Sequence, residues 1–389
     1  MKVQLSEQIA AAAGPLINQA VERGFAGQLF EANPELWGKK AQPESARRLG
    51  WVAPVDRWLP LAEEVSGLRE ELAAKGVHQV VLCGMGGSSL APEVVAAHFQ
   101  VPLTVLDTTH PNQLAPILTG DLSATVVVVS SKSGGTLETD SQRRACEAAF
   151  RNQGIEPADR IIVVTDPDSP LQLSASQAGY RVFLGDDTIG GRFSALSPFG
   201  IVPCVLAGVD MTAVLNEAHA ARVQLSADAP DNPGLLLGAG MAAQAPEVNK
   251  LILREQRPFP GFGDWVEQLV AESSGKDGVG LVPFVGSRGA HYDDALSIGG
   301  QGSDIFVDAS LGELFLLWEV ATAFACQILG VNPYDQPNVE SAKVAAKALL
   351  EQPDVVGRDE RGVDGFSVWG STDLLDGKTL PELIAQWKK

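Results

Sequence analysis

An α/β architecture of parallel sheets with helices on both faces follows from three observations. From His78 onward, short runs of β-branched residues alternate with helix-length segments, which is the pattern of strand–helix–strand units and not of hairpins. Two strand-to-helix turns, Gly84-Met85-Gly86-Gly87-Ser88-Ser89 and Ser130 to Thr136, are crowded with glycine and serine. After a connector at 226–233 rich in Ser, Asp, Asn and Pro, the alternation resumes. The expected organisation is a helical N-terminal segment over 1–77, one α/β subdomain over 78–221, a second over 233–345 and a C-terminal extension over 346–389.

The elements follow in order. Ser6 to Gly24 has helical composition interrupted at Gly14-Pro15, and Glu63 to Lys75 reads as an amphipathic helix. His78 to Cys83 is a strand and Leu90 to Phe99 a helix. Pro102 to Leu106 is a strand, Pro111 to Ile117 a helix, and Thr125 to Val129 a strand whose Val126–Val129 run suits burial on both faces. The series continues with helix Leu137 to Asn152, strand Arg160 to Val164, helix Leu171 to Gln177 and strand Tyr180 to Phe183, and Pro198 marks a further helix start. In the second unit the helices are Gly234 to Ala245, Asp264 to Glu272, Ser310 to Leu329 and Pro337 to Leu349. Its strands are Asn249 to Arg254, Val279 to Val285 and Asp304 to Val307.

Composition narrows the function classes. A formal charge of −19 argues against a general nucleic-acid or anionic-membrane surface. An anionic ligand must therefore be held by a local concentration of donors. Cys83, Cys146, Cys204 and Cys326 lie far apart without CxxC spacing, as expected of reduced, buried thiols. No signal-peptide pattern is present, so a cytoplasmic protein is expected. The long apolar stretch Leu314 to Val331 contains Glu319 and reads as a buried helix.

Chemistry concentrates in the turns. Ser131, Lys132, Ser133 and Thr136 surround Gly134 and Gly135 between a strand and a helix start. Free backbone N–H groups and the positive end of the helix dipole make such a place an anion site, and hydroxyls with one ammonium suit a phosphate monoester. The same loop could equally serve only to cap the helix. The Gly84 turn lacks the third glycine of a dinucleotide fingerprint, since Ser89 stands there, and reads as a second backbone-lined pocket wall. In a parallel sheet both turns fall on the rim beyond the strands' carboxyl ends. Gly190-Gly191 allows close backbone approach, and Arg192 beside it could meet developing negative charge or be an ordinary surface arginine.

Five segments, in consistent order, resemble the phosphoglucose isomerase family. They are GMGGS at 84–88, SKSGGTLET at 131–139, the run 187–197 with Gly190-Gly191-Arg192-Phe193-Ser194, QLVAESSGK at 268–276 and GVNPYDQPNVESAK at 330–343. The texture of AESSGK and NPYDQPNVE is also similar to the isomerase part of bacterial transaldolase–isomerase fusions. Two positions depart from the family pattern: Asn338 stands where glycine is usual, and Gly135 where a polar residue is common.

The resemblance implies two sugar-isomerase (SIS) αβα subdomains, a homodimer, no metal or other cofactor, and interconversion of an aldose 6-phosphate with its ketose. By resemblance Glu272 is the base that moves a proton between C2 and C1, and Arg192 stabilises the enediolate. Lys343 donates a proton at the ring oxygen or C1 hydroxyl, and His291, the one histidine between that glutamate and the long apolar helix, is either the ring-opening histidine supplied by the neighbouring subunit or an exposed loop histidine in GAHYDD. Ser131, Lys132, Ser133 and Thr136 grip the phosphate, while Gly86, Gly87, Ser88 and Gln268 line the sugar. The expected activity is glucose-6-phosphate isomerisation. The alternatives are the same chemistry on mannose 6-phosphate or 6-deoxy-6-sulfoglucose, and a sugar-phosphate-binding regulator without catalysis.

Overall fold

The computed structural model describes residues 1–254, 259–286 and 292–336, with shorter stretches beyond that include 359–363, 366–370 and 379–387. Residues 1–335 form one compact unit and 336–389 a second.

In the first unit, strand β1 (Lys2–Leu5) and helices α1 (Glu7–Glu22), α2 (Phe25–Phe30), α3 (Gln42–Arg48) and α4 (Leu59–Ala74) precede the first sheet. Its strands are β2 (Gln79–Gly84), β3 (Thr104–Leu106), β4 (Thr125–Ser130), β5 (Ile161–Thr165) and β6 (Arg181–Leu184), in spatial order β3-β2-β4-β5-β6 and all parallel. Helices α5 (Leu90–Phe99), α6 (Pro111–Leu118), α7 (Leu137–Asn152) and α8 (Pro170–Gln177) make the crossovers. Both faces are buried, and the period-2 alternation sorts them. Val80, Leu82, Val126, Val128, Ile162 and Val164 join one core, while Val81, Cys83, Val127, Val129, Ile161 and Val163 join the other, with Phe150 and Cys146 of α7. All four cysteines are free and buried.

Helices α9 (Pro198–Ala207), α10 (Met211–Leu225) and α11 (Pro233–Ala242) lead to the second sheet. Strand β7 (Lys250–Arg254), helix α12 (Phe262–Ser274), strands β8 (Val282–Gly286), β9 (Ala295–Gly299) and β10 (Ile305–Asp308), and helix α13 (Leu311–Leu329) complete it, in strand order β1-β10-β9-β7-β8. The expectation of a parallel sheet holds for β10, β9, β7 and β8, and β1 adds an antiparallel edge.

That edge adds a strand to the segment 1–77 expected to be helical. Lys2–Leu5 is too short to announce itself by periodicity, yet it buries Val3 and pairs with β10 along its whole length. Nor does Gly14-Pro15 break α1. The stripe Ile9, Ala13, Ile17 and Ala20 is buried on both sides of the proline, and this packing holds the two halves in one helix. Strand β9 has no counterpart among the expected strands.

Among the described residues, α13 is the one helix long and apolar enough to cross a membrane, and 83% of that stretch is buried inside the fold. Its start is fixed by Glu313, whose carboxylate accepts from the Ser310 N–H at 2.9 Å. In the second unit, β11 (Asp359–Val363) and β12 (Phe366–Gly370) form an antiparallel pair, and Leu380–Trp387 is helical. The expected helix Pro337 to Leu349 lies largely outside the described residues.

Candidate active site

The site begins at the rim of the first sheet. Gly84 and Ser130 are register partners at the ends of β2 and β4, so the Gly84 and Ser131 loops leave the sheet side by side. The Gly84 loop turns through Gly86 at φ +54°. A Cβ there would stand 2.5 Å from Gln268 Nε2, and one at Gly87 would run into the Gly191 carbonyl oxygen. Those two glycines therefore permit α12 and the Gly190 loop to close against the same wall.

Helix α12 supplies the carboxylate. Gln268 and Glu272 are one turn apart, and the Gln268 amide donates to Glu272 Oε1 at 3.1 Å. Arg192 Nη1 donates to Glu272 Oε2 at 3.4 Å. The Arg192 side chain is 2% exposed and that of Glu272 31%, so the guanidinium is walled in while the carboxylate still faces solvent.

Arg192 is gripped from several sides. Its Nε donates to Ser273 Oγ at 2.9 Å and its Nη2 to the Pro333 carbonyl at 2.6 Å, with a longer contact to the Asp335 carbonyl at 3.5 Å. Burial pulls its pKa below the ordinary arginine value, and Glu272 opposes that shift most strongly. A fixed guanidinium beside a partly open carboxylate suits proton abstraction from carbon with stabilisation of the resulting oxyanion.

The Ser131 loop is braced from below. The Thr165 hydroxyl donates to the Ser131 carbonyl at 2.7 Å, and the Asp166 N–H donates to the Lys132 carbonyl at 3.2 Å. Gly134 sits at φ +66°, where a Cβ would meet Leu171 N at 2.8 Å. Above that floor, Ser131 Oγ donates to Thr136 Oγ1 at 3.3 Å, Ser133 is exposed, and α7 begins at Leu137.

Lys132 departs from its expected place among the loop's donors. Its ammonium donates to Asp166 Oδ1 and to the Asp186 carbonyl, each at 2.7 Å, and lies 5.1 Å from the Phe199 ring centroid. Burial pushes the ammonium down in pKa, and Asp166 resists that shift. A partly buried ammonium requires partners, and neighbouring βα loops provide them. The charge thus ties the Ser131 loop to the next two loops of the rim.

Gly86, Gly87, Arg192, Gln268 and Glu272 come together as described, and Ser88 is buried in the same wall. Lys343 and His291 lie outside the described residues. Ser273, Lys276 and Asp335 also belong to the cluster. The first two sit in the 268–276 segment, but the contacts that bring the three into the site join residues 56 to 143 positions apart, which local spacing does not reveal.

This fold and carboxylate–guanidinium centre define an aldose–ketose isomerase of phosphorylated sugars. A phosphoglucose isomerase family profile matches residues 56–279, and the chain belongs to the phosphoglucose isomerase family. It is 32% identical over 422 residues to the glucose-6-phosphate isomerase of Thermosynechococcus vestitus, with 82% of this chain and 79% of that protein covered. It is 27% identical over 372 residues to the probable glucose-6-phosphate isomerase of Natronomonas pharaonis, covering 78% of this chain and 86% of that protein. The crystal structure of a hypothetical protein from Thermus thermophilus superposes with a TM-score of 0.70 at 26% identity, covering 90% of this chain and 99% of that one. A glucose-6-phosphate isomerase from Chlamydia trachomatis shares the fold at TM-score 0.70 and 19% identity, covering 91% and 89%.

Proposed function

We propose that this protein interconverts glucose 6-phosphate and fructose 6-phosphate through a cis-enediolate, with Glu272 as the base. The observation that carries the reading is the arrangement at Glu272. One oxygen is held by Gln268, the other is next to Arg192, and part of the carboxylate remains open. Glu272 takes the proton from C2 of the aldose and returns it to C1. Arg192 faces the oxygen on which charge develops, in a seat too rigid to need reorganisation. The hydroxyls of Ser131, Ser133 and Thr136 and the N–H groups at the start of α7 hold the phosphate, and Lys132 keeps their loop in place. Gly86, Gly87 and Ser88 form the wall against the sugar. By their motifs, Lys343 and His291 act in ring opening, and the working form is a homodimer.

The test is a coupled assay of the purified chain on fructose 6-phosphate without added metal, run beside mannose 6-phosphate and 6-deoxy-6-sulfoglucose. Turnover of fructose 6-phosphate well above the other two is the expected result. Turnover of only the sulfosugar or the mannose substrate keeps the chemistry and overturns the substrate. Silence on all three, with sugar phosphate still bound, makes the protein a binder.

A further inference from the structure

A buried lysine stands behind the arginine just described. Lys276 follows the C-terminal end of α12, and its side chain is 4% exposed. An ammonium has three protons, and here there are three acceptors: the Asn332 carbonyl, the Asp335 carbonyl at 2.9 Å and Asp335 Oδ1 at 2.6 Å. The same turn seats Arg192, whose Nη2 donates to the carbonyls of Pro333 and Asp335. Two cations thus share one turn of backbone, and the Asp335 carbonyl is common to both.

Such an arrangement costs stability. Burying an ammonium beside a guanidinium is unfavourable unless the cation is fully hydrogen-bonded. Burial and the Arg192 charge both push the Lys276 ammonium down in pKa, and Asp335 opposes them most strongly. Hydrophobic packing alone would have filled the space with an apolar side chain.

We infer that Lys276 is a positioning residue: by fixing the carbonyls of the 332–335 turn, it holds the Arg192 guanidinium in the orientation that meets the enediolate. The inference rests on the isomerase reading above for its chemistry, and on the shared turn for its geometry. With its three protons engaged by these acceptors, Lys276 has none left to donate to substrate. Without it, the Asn332 and Asp335 carbonyls lose the donor that fixes them, and Arg192 Nη2 loses a rigid seat. A misplacement of about 1 Å in such a group is enough to lower a rate about a hundredfold.

Calorimetric titration of the full chain tests this with two probes. Arabinonate 5-phosphate places a carboxylate where the enediolate oxygens form, and glucitol 6-phosphate carries the phosphate and hydroxyls with no oxyanion. Lys276→Met is expected to weaken the aldonate about tenfold or more while leaving glucitol 6-phosphate within about twofold, because only the oxyanion contact depends on Arg192. On fructose 6-phosphate, kcat falls about a hundredfold and KM stays within about threefold. Added to Arg192→Ala, Lys276→Met produces no further loss for either probe, because it acts through the group already removed. Asp335→Asn, which keeps the carbonyl and most of the volume, shifts the same readouts in the same direction by less, and serves if Lys276→Met does not fold.

Equal weakening of both probes, or full additivity on the Arg192→Ala background, overturns the role of Lys276 and leaves it a structural cation. A wild type that binds both probes without isomerising any sugar phosphate overturns the isomerase reading instead, and the two-probe comparison still decides the case of Lys276.

Discussion

Glu272 has one oxygen bonded by the Gln268 amide and the other facing Arg192, so its lone pairs are aimed before substrate arrives. Replacing it with glutamine keeps the shape and removes the proposed base. Glu272→Gln is expected to lower kcat by about a thousandfold while sugar-phosphate affinity changes little, as steady-state kinetics and equilibrium binding would show. Retention of more than about a tenth of the activity would falsify its assignment, because a lost general base removes at least about a hundredfold. A second carboxyl has the opposite character. Glu319, in the middle of α13, is 1% exposed, and its Oε1 has no hydrogen-bond partner among the described residues. Burial pushes its pKa well above the ordinary 4.5. The folded state therefore keeps its proton longer than the unfolded state does. The associated stability is fully present below 4.5 and is lost as pH rises through the raised folded pKa. Thermal unfolding of wild type and Glu319→Gln across that range should diverge, with the wild type falling relative to the variant as pH rises. Parallel curves would mean that the two states titrate alike.

The rim loops show what one element contributes and what only the assembled sheet can. The strand β4, the Ser131 loop and the helix α7 are continuous in sequence, and periodicity locates all three; Leu137–Asn152 and Leu90–Phe99 emerge with the expected ends. The partners of the loop are not continuous with it. Lys132 pairs with Asp166 and the Asp186 carbonyl, which arrive from the ends of β5 and β6, so its inward turn is invisible from the local pattern. Strand β9 is hidden for a different reason: in ALSIG the apolar run is short and interrupted by Ser297, whose hydroxyl is spent on Asp304 at 2.7 Å. The brace makes a prediction at Gly134. With φ +66° and backbone 2.8 Å from where a Cβ would stand, Gly134→Ala should cost about 1–3 kcal/mol in urea unfolding and raise KM for sugar phosphate more than it lowers kcat. An unchanged midpoint and KM would show that the loop relaxes without cost.

At the scale of the molecule, a chain of net charge −19 binds an anion by geometry and not by its overall field. On the first sheet's rim the Ser131 and Thr136 hydroxyls bond each other, while the one cation held against Glu272 among the described residues, Arg192, sits almost fully buried in a walled position. Bringing Arg192 from residue 192 to Ser273, Pro333 and Glu272 takes both sheets and α12. The five segments were legible in sequence as separate motifs, but their convergence was legible only through the family resemblance, because no local rule specifies contacts 80 to 141 residues apart. The central claim is proton transfer through an enediolate at Glu272. Its most direct test is a proton NMR time course of fructose 6-phosphate with the wild-type protein in D2O containing EDTA. Glucose 6-phosphate should appear at a rate that collapses in Glu272→Gln, with solvent deuterium at C2 in the fraction of turnovers in which the proton on Glu272 exchanges before it returns to carbon. Conversion at an unchanged rate in Glu272→Gln would contradict proton transfer by this carboxylate.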